Sequence, residues 1–174
     1  TLGTEAASGY LEVAEPLDLA GDYRIAIEGY GEKTVIPTGI FDSDYFAENF
    51  HYEGSDLGAT VNGDSTTFKV WAPTASKVVL NLFEAGNGGS AYKSVEMTKG
   101  EKGVWEAKVD LPAPEIYTYS FTVDGVNMSD ASNLDLQRDG TRYMSAVLIE
   151  GGTADLHCRS YHYLAEEIWS DRAR

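Results

Sequence analysis

The chain has one cysteine, Cys158, in 174 residues, so no internal disulfide can form and the fold must rest on its own core in any compartment. Basic residues are scarce, with 13 Lys and Arg against 28 Asp and Glu and a formal net charge of -15 at pH 7. Such a surface repels phosphate backbones and anionic headgroups, which argues against nucleic acid and membrane partners and leaves a neutral polymer such as a polysaccharide open. Long apolar runs are missing: none approaches the roughly 20 residues that cross a bilayer, and Thr1 to Tyr10 lacks the basic start and apolar centre of a signal peptide. The chain therefore reads as soluble, with any export signal already removed, and its start at Thr1 reads as processing or a cut. Its length falls short of a catalytic barrel of about 250 residues but suffices for one sandwich of about 100 with flanking extensions.

What is abundant is turn-forming and aromatic. Eighteen glycines, eleven tyrosines and short alternating runs between turn residues predict an antiparallel β protein. In Val104 to Leu111, Trp105, Ala107, Val109 and Leu111 share one face and Glu106, Lys108 and Asp110 the other, the pattern of a half-buried strand. Tyr117, Tyr119, Phe121 and Val123 alternate with Thr118, Ser120 and Thr122 until Asp124-Gly125, a pair suited to the positive φ angles of a tight hairpin. Strands are also expected at Thr66 to Trp71 and Lys77 to Glu84, separated by a corner at Ala72-Pro73. Asn87-Gly88-Gly89 is a turn, Ala91 to Met97 a weaker strand, Lys99 to Gly103 a charged loop, and Tyr143 to Ile149 a last strand after the turn at Asp139-Gly140.

These runs predict an all-β, immunoglobulin-like sandwich of two facing sheets. Its expected extent is residues 47–150, preceded at 1–46 by an extension or the end of a preceding β unit and followed at 151–174 by a linker and helix. In the first flank Tyr23, Ile25 and Ile27 alternate as a strand, and Val35 to Phe41 reads as another. In the last, Tyr161, Leu164, Ala165, Ile168 and Trp169 form the stripe of an amphipathic helix capped by Ser160, which docks on the sandwich or meets a downstream domain.

No complete catalytic constellation can be read. Gly88-Gly89-Ser90-Ala91-Tyr92 lacks the closing glycine of a serine-hydrolase elbow. His157, Cys158 and His162, with only His51 elsewhere, lack paired zinc spacing, so no metal is expected. Asp130, Ser132, Asn133, Asp135 and Asp139 form an oxygen-rich stretch without the glycine of a calcium hand, and read as a solvated turn. Carboxylate pairs such as Asp42 with Asp44 or Glu166 with Glu167 specify no glycosidase by themselves. No cofactor motif occurs.

Two stretches resemble known families. Tyr52-Glu53-Gly54-Ser55-Asp56-Leu57-Gly58-Ala59, followed by Thr67-Phe68-Lys69-Val70-Trp71-Ala72-Pro73-Thr74-Ala75-Ser76-Lys77-Val78, resembles the signatures that open the family 48 carbohydrate-binding module of bacterial type I pullulanases, and Met97 to Trp105 continues the match. Leu17 to Phe50 is similar to the β-rich stretch that precedes this module. Tyr119 to Gly125, with Asp130-Ala131-Ser132-Asn133 and Arg142-Tyr143-Met144-Ser145, looks more like modules before feruloyl and acetyl xylan esterases, or a kinase subunit's glycogen-binding domain. The family's sugar site is built from two tryptophans, a Lys before the V-D-G turn, and Thr and Asn on the last strand. Here Ser120 holds the Lys position, Asn127 that of the Trp after the turn and Tyr143 that of the Asn, while Thr141 matches; loss of that Trp removes a stacking platform. Trp105, in phase with the apolar face, is expected in the core, and Trp71, beside the Pro corner, packs in the core or at a domain interface or meets a sugar.

The resemblance implies a non-catalytic accessory module of a polysaccharide-degrading enzyme, extracellular or on a bacterial cell surface. It would bind an α-glucan, with Thr141 and Trp71 as candidate contacts, and position a downstream catalytic domain. The alternatives are a xylan-directed module of a carbohydrate esterase and a structural protein-interaction domain.

Overall fold

The computed structural model describes residues 11–15, 17–84, 89–111, 114–139 and 141–153. Twelve strands are found among them: β1 (Arg24–Ile27), β2 (Gly31–Thr34), β3 (Gly58–Asn62), β4 (Ser65–Trp71), β5 (Val78–Phe83), β6 (Lys93–Glu96), β7 (Thr98–Lys99), β8 (Val104–Val109), β9 (Ile116–Val123), β10 (Val126–Met128), β11 (Leu136–Asp139) and β12 (Arg142–Leu148). One α-helix, α1 (Asp44–Phe50), accompanies them. Strands β3, β4, β8 and β7 form one sheet in the order β3-β4-β8-β7. A six-stranded sheet runs β11-β12-β9-β5-β6, with β10 also paired to β9, and β1 with β2 makes a separate ribbon. All pairings are antiparallel, and the two larger sheets form an immunoglobulin-like sandwich.

The period-two faces close on each other. Phe68 lies opposite Ala107 and Val70 opposite Trp105 across β4 and β8, while Leu80 faces Phe121 and Leu82 faces Tyr119 across β5 and β9. Phe68 and Tyr119 meet edge to face between the sheets at 4.9 Å, and Tyr119 meets Phe121 at 5.6 Å. Trp105 is in this core as expected, its indole N–H donating to Ala72 O at 3.0 Å.

Corners are set by chemistry legible in the chain. Asp124 and Gly125 have φ angles of 46° and 86°, so the β9–β10 hairpin turns with both central residues left-handed. The Asp124 carboxylate accepts from Ser76 Oγ at 2.7 Å and Lys77 N at 2.8 Å, pinning this turn to the Pro73 corner. Gly103, with φ 76°, lies so close to Pro73 that a Cβ there would sit 2.6 Å from its Cα.

The first family signature has a mechanical meaning. Tyr52 lays its ring where a side chain on Gly54 would have to go, and its hydroxyl donates to Asp56. Asp56 accepts from Lys69 Nζ at 2.6 Å, and Lys69 reaches Glu106 at 3.3 Å, so the approach to β3 is strapped across β4 and β8.

The first flank differs from its expected pattern. Strand β1 matches the alternation at Ile25 and Ile27, but Val35 to Phe41 is not a strand: Gly39 is left-handed, a short 3-10 turn follows at Ile40–Asp42, and Ser43 caps α1 through Phe46 N at 3.2 Å. Helix α1 spans the expected boundary at residue 46. Its seven residues are too few to hold helical structure alone. Phe46, which stacks on Phe50, meets Trp71 at 6.2 Å, and the Trp71 indole N–H donates to Phe50 O and Lys102 O, each at 3.0 Å. The helix expected at Tyr161 to Trp169 lies outside the described residues, as does Gly140.

Candidate functional site

Strand β9 shares one edge between two partners. Residues 116–119 pair with 145–148 of β12, whereas 121–123 pair with β10, so β12 must swing away from β9 as β10 arrives. Ser129 Oγ bridges the gap by donating to Tyr143 O at 3.2 Å. A concavity of 480 Å³ opens at this fork, lined by Phe83, Ser120, Asn127, Ser129, Tyr143 and Met144 among others. Its size falls within the usual range of small-ligand sites.

The chemistry around the fork combines hydrogen-bonding side chains with the aromatic rings of Phe83 and Tyr143 and a nearby guanidinium. Tyr143 is 54% exposed, and Arg138 lies over its ring at 5.8 Å. Asn127 Nδ2 donates to Ser120 Oγ at 2.8 Å, fixing the amide over the fork. On the same outer face Asn81 Nδ2 donates to Thr122 Oγ1 at 2.9 Å, and Asn81 Oδ1 accepts from Ser94 Oγ at 2.9 Å. Asn81 and Ser94 went unnoticed among the alternating apolar positions, yet Asn81 is the polar residue between outward-facing Val79 and Phe83, which was the available signal.

The oxygen-rich stretch after β10 is a structural knot. Asp130 is 3% exposed; its Oδ2 accepts from the Tyr119 hydroxyl at 2.7 Å and its Oδ1 from Ser132 N at 2.8 Å. Asp130 N donates to Ser145 Oγ at 2.8 Å, and Asn133 Nδ2 donates to the Tyr119 hydroxyl at 2.9 Å and to Ala146 O at 2.8 Å. Burial, and then the adjacent Asp130 charge, hold the Tyr119 phenol well above its usual range. The expected solvated turn holds at Ser132 and Asp135, which are exposed, but Asp130 is directed inward because Tyr119 supplies a donor in the core.

The other candidates are dispersed. Thr141 stands in the exposed turn into β12 and does not line the fork. Trp71 is on the opposite sheet, 41% exposed, bordering a 560 Å³ concavity with Phe41, Phe46, Phe50 and Leu57. Its N–H is already engaged, so that concavity offers aromatic surface rather than a donor from this indole. A larger concavity of 680 Å³ lies among residues 13–45, with Leu17, Tyr23, Val35 and Ile40 in its lining, and includes neither Thr141 nor Trp71. Asp42 closes the 3-10 turn and Asp44 opens α1, while Glu166, Glu167, His157, Cys158 and His162 lie outside the described residues.

A hydrogen-bonding depression on one sheet of a small antiparallel sandwich defines the class: a β-sandwich domain with a shallow surface concavity. Residues 56–148, more than half of the chain, match the model of Carbohydrate-binding module 48 (Isoamylase N-terminal domain), and the chain belongs to that family, one of non-catalytic modules of glycoside hydrolases. It is 29% identical over 150 residues to the pullulanase of Bacillus subtilis, covering 84% of this chain and 19% of that enzyme. It is 36% identical over 102 residues to the 1,4-alpha-glucan branching enzyme GlgB of Lactobacillus acidophilus, covering 59% of this chain and 15% of that enzyme. Among solved structures, the pullulanase from Bacillus acidopullulyticus superposes with a TM-score of 0.63 at 28% identity, over 78% of this chain and 16% of that one. The pullulanase from Anoxybacillus sp. LM18-11, complexed with maltotetraose, gives 0.59 at 28% identity, over 78% and 20%. The chain therefore spans about a fifth or less of the enzymes it matches.

Proposed function

We propose that this chain is the α-glucan-directed accessory module of a larger glucan-acting enzyme, holding the polymer near a catalytic domain and packing against it. The observation that carries the reading is the fork concavity: three of the positions where the family resemblance puts its sugar contacts, Ser120, Asn127 and Tyr143, line one depression. Two aromatic residues, Phe83 and Tyr143, line the same depression. The net charge of -15 agrees with a neutral ligand, and the similar pullulanase from Anoxybacillus sp. LM18-11 was solved in complex with maltotetraose.

Support for the packing role comes from the β1–β2 ribbon. All eight residues of the two strands are exposed, including Ile27, and a two-stranded ribbon is marginal by itself. Ile36 and Tyr30 are bare beside it. Contact with a neighbouring domain would bury this surface and explain its apolar content.

Titration calorimetry of the chain with maltoheptaose and xylohexaose tests the binding half. Weak binding of maltoheptaose is expected, with a Kd on the order of 1 mM, about 4 kcal/mol of free energy. Silence toward maltoheptaose at tens of millimolar, or equal affinity for xylohexaose, would remove the proposal.

A further inference from the structure

The two sheets of the sandwich do not match in width. Strands β6 and β7, one residue apart in the chain, join them along one side, and the Phe68–Tyr119 contact sets β4 against β9. Counting outward from that contact, β3 stands against β12, and β11 has no strand opposite it. Leu136 on β11 is paired with Ser145, which is paired with core-facing Tyr119, so the Leu136 side chain lies on the inner face of the sheet. It is nevertheless 49% exposed. Across the opening, Val61 on β3 is paired with buried Thr66, itself paired with Val109 of the core, and is 40% exposed. Two apolar residues of the inner faces thus stand at an open side of the sandwich, and Leu134, just before β11, is bare beside them. Among the described residues no strand pairs with the free edge of β3 or of β11.

We propose that residues 160–169 of this same chain, which lie outside the described residues, dock as a helix in this opening, with the stripe of Tyr161, Leu164, Ala165, Ile168 and Trp169 turned to Leu136 and Val61. The dimensions agree. Packed sheets stand about 10 Å apart, about the diameter of a helix, and ten helical residues rise about 15 Å against about 13 Å for the four residues of β11. The chain also leads there. Leu148 pairs with Ile116, Ile149 N donates to Glu115 O and Gly152 lies against Pro114, so the described chain runs out beside the start of β9, two strand spacings or about 10 Å from β11. Residues 154–159 reach up to about 24 Å when extended, more than the gap requires. The polarity fits as well, because Glu166, Glu167 and Ser170 fall opposite the stripe and would face water. A helix this short is marginal alone, so its formation depends on the surface it covers. Docking would also shield the free edge of β3 from pairing with another chain.

Thermal melts of the full chain with Leu136→Asp, Ile168→Asp and both together test the contact. Each single change places a carboxylate in the covered surface and should lower Tm by about 5 °C or more. In the Ile168→Asp background the opening is already bare, so adding Leu136→Asp should move Tm by less than about 2 °C. Equal shifts in both backgrounds, or no shift from either single change, would overturn the proposal. A nitroxide on Cys158, the chain's single cysteine, gives a reading independent of stability. It should broaden the amide signals of residues 59–61 and 134–137 and spare those of β6 and β7 on the far side. Broadening spread evenly around Pro114 would mean a tether without a docking place and would refute the assignment. Broadening that appears on an unlabelled, isotope-enriched chain mixed with the labelled one would assign the opening to a second copy, and would overturn it too.

Discussion

Replacing Tyr119 by Phe isolates the buried knot that ties the β10–β11 crossing to the core. The ring volume is kept, so contacts with Phe68 and Phe121 persist, and only the hydroxyl is lost. That hydroxyl donates to Asp130 Oδ2 and accepts from Asn133 Nδ2, and Asp130 is 3% exposed, so water cannot readily replace it. Asn133 retains Ala146 O and Asp130 retains Ser132 N–H, but the carboxylate is left a donor short. Leaving a buried charged acceptor short of its partner costs about 2–3 kcal/mol, which for a domain near 100 residues lowers Tm by roughly 10–20 °C. Urea unfolding should show the same loss in midpoint with an unchanged slope. Adding Asp130→Asn should recover part of it, because the two residues act as a pair, with a coupling of at least about 1 kcal/mol in the double-mutant cycle. A pH signature accompanies the change. The folded phenol is raised in pKa while the unfolded one ionises near pH 10, so the stability from the neutral phenol is complete below about pH 10 and declines as pH rises past it. The wild-type minus variant difference in stability should shrink over that range. A loss below about 0.5 kcal/mol at pH 7, or a difference insensitive to alkali, would refute the assignment of this hydroxyl as the partner of Asp130.

Two further outcomes follow from the corners. Gly103→Ala combines a left-handed φ of 76° with a Cβ placed 2.6 Å from Pro73 Cα and should cost at least about 2 kcal/mol, whereas Gly63→Ala, at φ 61° with open space around it, should cost about 1 kcal/mol; equal urea midpoints would contradict the close approach. Asp56 is held below the usual carboxylate range first by the Lys69 ammonium and then by the Tyr52 hydroxyl, and Asp124 first by the Ser76 hydroxyl and then by the Lys77 and Ser76 N–H groups. Because their folded pKa values are depressed, their contribution is present above about pH 4 and is lost as pH falls through the folded values, so Asp56→Asn and Asp124→Asn should each flatten the acid decline of Tm.

The sandwich was legible because its signal is local: apolar residues at every second position from 104 to 109 and 117 to 123 fix which face is buried before any partner is known. The Asp124-Gly125 hairpin was equally local, since few other pairs take two positive φ angles. Strand β3 was missed, because Gly58-Ala59-Thr60-Val61-Asn62 has weak alternation and is defined by pairing with β4. Helix α1 was missed for a similar reason: its aromatic residues are organised by Trp71 and Lys102, more than 20 residues away. At the site, Tyr143 and Asn127 could be named from a resemblance, but the depression between them could not. It arises from β10 and β12 competing for the edge of β9, a long-range consequence of topology.

The residues that carried the resemblance and those of the outer sheet face belong to different parts of the molecule. Tyr52, Gly54, Asp56, Gly58, Pro73, Gly103 and Asp124 act on the backbone: they strap an approach, turn a corner or admit a close neighbour. Substituting them strains the frame, so they identify the fold strongly and say little about the ligand. The outer-face positions of β5, β9 and β10 make no such demand, because an outward side chain on a strand can change without altering register or core. A family defined by its corners can therefore change these outer residues while keeping its sandwich intact. In this chain the outer face carries Asn81, Ser94, Thr122 and Asn127, linked to one another by hydrogen bonds.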